Sequence, residues 1–138
     1  MGLSQVDKSN YYKGLLVLIG KDRIIDPRER ELMLQIGKIL DFERRFCEAA
    51  IDDLLGNKYI TDDPVIFSSR EIAECFMRDA VTLALVDEEL HPQELTWLKA
   101  LARANGLADG WLAAEIRGVQ DERVTDKSAA ALHVLDYI

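Results

Sequence analysis

The sequence predicts an all-α protein, a single compact bundle of about seven helices built on two related helix-turn-helix units. Three observations carry this. No segment alternates apolar and polar residues with the period of two that a half-buried strand requires. Apolar residues instead recur three and four apart, as at Tyr12, Leu15, Leu16 and Ile19, and again at Ile72, Cys75, Phe76, Ala80, Leu83 and Val86. The stretch KDRIIDPRE at 21–29 also shares its grammar with VDEELHPQE at 86–94, 65 residues further on. At that offset Asp22 pairs with Asp87, Pro27 with Pro92 and Glu29 with Glu94. Residues 15–52 slid over 80–117 agree at six of 38 positions, the other three being Leu18 with Leu83, Ala49 with Ala114 and Ile51 with Ile116. Half of the identities fall within eight residues at one helix boundary, which points to a unit used twice.

In chain order, residues 1–10 read as a flexible polar end and residues 11–138 as the helical domain. Repeat one covers about 11–56, a linker 57–67, repeat two about 68–120, and a final helix about 126–138. The first helix should stop near Gly20. Asp26 offers an N-cap, Pro27 suits the first helical position, and Glu29 at the third can reach back to the cap amide. Leu32, Met33, Ile36 and either Ile39 or Leu40 continue that second helix on its apolar side. Asp41 is the expected cap of a third, in which Phe42, Phe46, Ala49, Ala50 and Leu54 face inward and Gly56-Asn57 gives a stop. The turn-forming Asp62-Asp63-Pro64 closes the linker. Ser68 and Glu71 have capping-box spacing for the longest helix, and Asp79 lies on its apolar stripe. Pro92, Glu94 and a Leu90–Leu95 staple open the next helix, which Asn105-Gly106 should end. Asp109 is the expected cap of a helix through Trp111, Leu112, Ile116 and Val119. Asp126 opens the last one, with Ala129, Leu132, Leu135 and Ile138 on its apolar side.

The totals set bounds on function. At 138 residues and 15.6 kDa, with 49% apolar residues, the chain is large enough for one buried core. Twenty-five acids against seventeen bases give a net charge of -8 and a pI near 4.7. That balance disfavours nucleic acid and anionic membrane surfaces and favours cations or a basic partner. Cys47 and Cys75 lie inside helical patterns without metal-ligand spacing, so they read as reduced core thiols and the compartment as cytoplasmic. No run is apolar for long enough to insert in a membrane.

The acidic turns are where chemistry is expected. A carboxylate in the last turn of a helix faces the exposed carbonyls, an unfavourable placement that a bound cation reverses. Hard divalent ions take carboxylate and carbonyl oxygens, and a helix C-terminus supplies both. Asp22, Glu29, Asp79, Asp87, Glu89 and Glu94 are therefore the candidate metal ligands, with calcium or magnesium as the ion. The competing reading makes Glu29 and Glu94 helix caps, Asp22 and Asp87 exposed acids, and Asp79 a carboxylate satisfied by a backbone amide or an arginine. An EF-hand is excluded, since counting twelve positions from Asp22 puts Pro27 where Gly is needed and Met33 where the bidentate Glu belongs; from Asp87 those positions hold Pro92 and Leu98. No nucleophile is paired with a base and no phosphate-binding glycine loop occurs, so the chain is not expected to be an enzyme.

An Asp closing one helix, a short turn, a cap and a Glu seven residues after the Asp, all occurring twice in a helical domain, resembles the tellurite-resistance TerB-like family. The resemblance covers about residues 11–112, and the Gly that commonly follows each Asp in that family is replaced here by Arg23 and Glu88. It implies a compact bundle of about seven helices with an acidic surface that takes divalent cations such as calcium. It also implies a stress-response sensor or scaffold working with a basic or membrane-associated protein complex. A scaffold domain with no metal site, drawing a basic partner by its charge, is the alternative.

Overall fold

The computed structural model describes residues 3–21, 25–53, 64–85 and 90–125, the side chains of 122–125 excepted. The described residues form six α-helices and no strand: α1 Gln5–Ile19, α2 Pro27–Ile39, α3 Arg44–Asp53, α4 Arg70–Ala84, α5 Pro92–Ala104 and α6 Asp109–Thr125. The seventh expected helix, at 126–138, lies outside the described residues.

α4, α5 and α6 each begin 65 residues after α1, α2 and α3, and the first two pairs also match in length, at 15 and 13 residues. Their caps follow the same offset. Ser4 accepts from the Asp7 amide at 3.1 Å, and Ser69 from the Ile72 amide at 3.2 Å. At the far ends of α2 and α5 the same pair of bonds closes the last turn: Phe42 N to Gly37 O (2.8 Å) with Asp41 N to Lys38 O (3.0 Å), and Leu107 N to Ala102 O (2.8 Å) with Gly106 N to Arg103 O (3.1 Å). Both are Schellman closures, which need a left-handed residue after the cap. Gly106 supplies it at φ 76° and Asp41 at φ 67°.

Several expectations are corrected by this geometry. Asp41 terminates α2 instead of capping α3, whose first-turn bond runs from Cys47 N to Glu43 O at 3.1 Å. The inward face of α3 shifts accordingly. Cys47 and Ile51 are buried, Phe46 is 52% exposed and Ala49 also faces out, while Leu54 lies outside the described residues. Ser69, not Ser68, caps α4, and Ala108 rather than Asp109 accepts the first amides of α6. Residues 5–10, read as part of a loose end, belong to α1. There Asp7 is buried, because its carboxylate accepts from the Ser4 hydroxyl and from both the amide and the hydroxyl of Ser68. Pro27, Glu29, Pro92, Glu94 and the Asn105-Gly106 stop fall where they were expected.

The core gathers around α1 and α4. Tyr11 and Phe76, 65 residues apart, meet edge to face at 5.2 Å, and Phe67 and Trp97 extend the aromatic cluster. Helix α1 packs on α4 at Gly14, where a Cβ would lie 2.8 Å from Phe76 Cζ. Across the bundle, the Asn105 carboxamide pairs with the extended segment before α4, donating to Val65 O and accepting from Phe67 N at 2.9 Å each. That pins Val65 and Phe67 inward and leaves Ile66 exposed. Among the described residues no helix is long and apolar enough to cross a membrane.

Candidate functional site

Both helix junctions are built from the N-terminal turn of the following helix. Pro at the first position removes an amide that would have no partner there. The Glu two residues later then turns back on the cap. Glu29 Oε1 accepts from Asp26 N at 2.9 Å, and Glu94 Oε1 accepts from His91 N at 3.0 Å. Each carboxylate is 2% exposed. The junctions differ in their cap residues. Asp26 accepts from Arg28 N at 2.8 Å and holds the Arg28 guanidinium with both oxygens at 3.2 Å, which keeps its carboxyl below the usual range; His91 stands in its place at α5.

Asp79 is fully buried and accepts a hydrogen bond from a tyrosine. Tyr11 donates its hydroxyl to Asp79 Oδ2 at 2.5 Å, and Cys75 Sγ lies 3.3 Å from the Tyr11 hydroxyl oxygen. Burial, reinforced by the neighbouring Asp79 and Cys75, holds the Tyr11 hydroxyl protonated far above its ordinary range. Arg78, beside Asp79 in sequence, points away, toward Glu74, Glu115 and the face of Trp111. A second tyrosine–thiol pair sits nearby: Tyr12 donates to Met33 O at 3.1 Å, and burial together with Cys47 raises its hydroxyl as well. Cys47 and Cys75 are both free thiols.

Of the six candidate ligands, Asp22, Asp87 and Glu89 lie outside the described residues. Glu29 and Glu94 occupy matching places at two helix starts, and Asp79 is engaged in the core between α1 and α4. Among the described residues no group of three or more His, Cys, Asp or Glu side chains is arranged to hold a metal ion. The sequence reading did not anticipate an open cleft of about 670 Å³, lined by Lys21, Pro92, Gln93, Thr96, Trp97 and Ala100. It sets the end of α1, next in sequence to Asp22, against the first turns of α5, which 86–89 precede. The only advance sign of Asp79's role was an acid on an apolar stripe; its partner lies 68 residues away. Comparison of the chain with models of known protein families, with curated proteins and with solved structures gives no match.

Proposed function

We propose that the chain is one three-helix unit used twice, and that it works as a non-enzymatic acidic module taking a calcium-like divalent cation at its two helix junctions. Occupancy is passed to a protein partner, in the stress-response sensor or scaffold role that the TerB-like resemblance implies. The observation that carries this is the matched placement of Glu29 and Glu94, two buried carboxylates that each accept from the cap amide at the start of α2 and of α5. The cleft shared by Lys21 and the start of α5 adds to it, because it draws the end of one junction toward the other. In this reading a cation is held by Asp87, Glu94 and Glu89, with Asp22 and Glu29 as the matching pair and Asp79 as an inner anchor for α4.

The test is a calcium titration of isotopically labelled protein at constant ionic strength, with magnesium as control. Saturable amide shifts centred on 86–94, lost in the Asp87→Asn/Glu94→Gln variant, are expected. If that variant binds calcium as the parent does, the junctions are not the site.

A second reading is favoured by the same bonds seen as structure. Both Glu residues cap helices in a way that needs no ion. On that reading the chain is a scaffold domain whose partner binding is salt-sensitive and indifferent to chelators.

A further inference from the structure

The seam between α5 and α6 opens into a depression of about 380 Å³ whose floor is apolar, made by Leu90, Leu95, Leu112 and Ile116. The residues 65 positions earlier show why it is open. In the first half, α2 presents Gly37, where a Cβ would lie only 2.4 Å from Cys47 Sγ, so α3 packs down until Cys47 and Ile51 are buried. The positions matching Gly37 and Cys47 hold Ala102 and Leu112. With a methyl on one helix and a larger side chain on the other, α6 cannot make the same approach; it packs on α4 as well as on α5.

The charges differ in the same direction. Arg30 on α2 bridges to Asp52 on α3 at 2.6 Å and fastens the first seam. The matching positions hold Leu95 and Arg117, so no such bridge can form. Lys99 joins Arg117 on the edge of the groove, and the one acid there, Asp109, is paired with Arg103 at 2.9 Å, which holds its carboxyl below the usual range. In a chain of net charge -8, this apolar groove is edged by two cations, and among the described residues no acid bridges them across the seam.

We propose that the α5–α6 groove docks an amphipathic helix of a partner protein, with leucine-like residues along one stripe and acids on its flanks. Helix-in-groove recognition uses apolar anchors at i, i+3, i+4 and i+7, and here the flanking acids meet Lys99 and Arg117, as Asp52 meets Arg30 in the closed seam. The proposal does not depend on cation binding, and its test is run in chelator to keep the two separate.

The test titrates the labelled full-length chain with a synthetic helical peptide bearing Leu at i, i+3, i+4 and i+7 and Glu at the flanks. The controls are the same residues in scrambled order and a Lys-flanked version. The expected result is saturable shifts at Leu95, Lys99, Leu112 and Ile116, with affinity about tenfold above that of the Lys-flanked peptide. The surface double variant Lys99→Glu/Arg117→Glu should fold as the parent does and reverse the preference between the two peptides. Equal binding of the scrambled peptide, saturable shifts elsewhere, or no saturation would overturn it. So would binding that appears only when residues 126–138 are deleted, which would assign the groove to the chain's own end.

Discussion

The two halves of the bundle, α1–α3 and α4–α6, begin their helices 65 residues apart and close α2 and α5 alike, yet they solve their packing differently. At the centre, Gly14 in α1 makes room for the tip of Phe76, while its counterpart Asp79 in α4 receives the hydroxyl of Tyr11, the counterpart of Phe76. One contact is filled by size and the other by a hydrogen bond. At the outer seam a glycine and an ion pair close α2 on α3, whereas an alanine, a leucine and two cations leave α5 and α6 apart. Matched backbones therefore fix where helices begin and end, and a few side chains decide which seam is core and which is surface.

The central pair offers the largest effects. Tyr11→Phe leaves a buried carboxylate without its hydroxyl donor and should cost about 1–3 kcal/mol in urea denaturation. Asp79→Ala should cost a similar amount by leaving the hydroxyl only the weak Cys75 thiol as partner, and the double variant less than the sum, since neither group then needs the other. The converse change, Phe76→Tyr, sends a hydroxyl toward Gly14 and the Val65 methyl and should cost about as much. A neutral outcome for Phe76→Tyr would break the size-against-hydrogen-bond contrast.

The outer seams come next. Gly37→Ala places a methyl against Cys47 Sγ and should destabilise by about 1–3 kcal/mol through overpacking. Ala102→Gly, at the matching buried position, removes a methyl from the core and should cost the helix-propensity difference of about 1 kcal/mol plus about 0.8 kcal/mol of lost burial. A Gly37→Ala variant as stable as the parent would mean that the glycine is not what lets α3 descend.

The end closures give a smaller, signed effect. Asp41 holds φ 67°, a conformation that penalises a Cβ, where Gly106 has none. Asp41→Gly should stabilise the chain by about 0.5–1 kcal/mol and Gly106→Ala should destabilise it by about as much, read from the same denaturation midpoints.

How much was legible in the sequence follows from which of these features are local. The starts of α2 and α5 could be read because Pro and Glu at fixed offsets from a cap encode them within four residues. The phase of α3 could not. Asp41 has the side chain of an N-cap but is used as a left-handed terminator, and α3 starts from the backbone carbonyl of Glu43, which leaves no residue-type signature. Asp79 stood out as an acid on an apolar stripe, but nothing local names Tyr11 as its partner. The open seam was illegible for the same reason: Gly37 and Ala102 look alike until the helices they face are known. At the junctions, Glu29 and Glu94 were found with the backbone contacts their spacing dictates, while Asp22, Asp87 and Glu89 rest on sequence alone.

The smallest effect is a pH dependence centred on the start of α1. Asp7 at the start of α1 is matched in α4 by Ile72, so only one of the two Ser-capped starts carries a titrating group on its inner side. Burial pushes the Asp7 carboxyl up, but the Ser68 hydroxyl and amide together with the Ser4 hydroxyl outweigh it and hold it below its ordinary value of 3.8. A carboxyl depressed on folding adds stability above its unfolded pKa and loses it as pH falls through the folded value. Asp7→Asn should therefore lower the urea midpoint at about pH 6 and narrow its gap to the parent as pH approaches about 3. Because the Asp7 carboxylate ties α1 to Ser68, amides at 4–8 and 66–69 should lose exchange protection together in acid while those at the start of α5 keep theirs. Loss of protection spread evenly over both halves would show that Asp7 is one surface acid among many and not the clasp between the start of α1 and the start of α4.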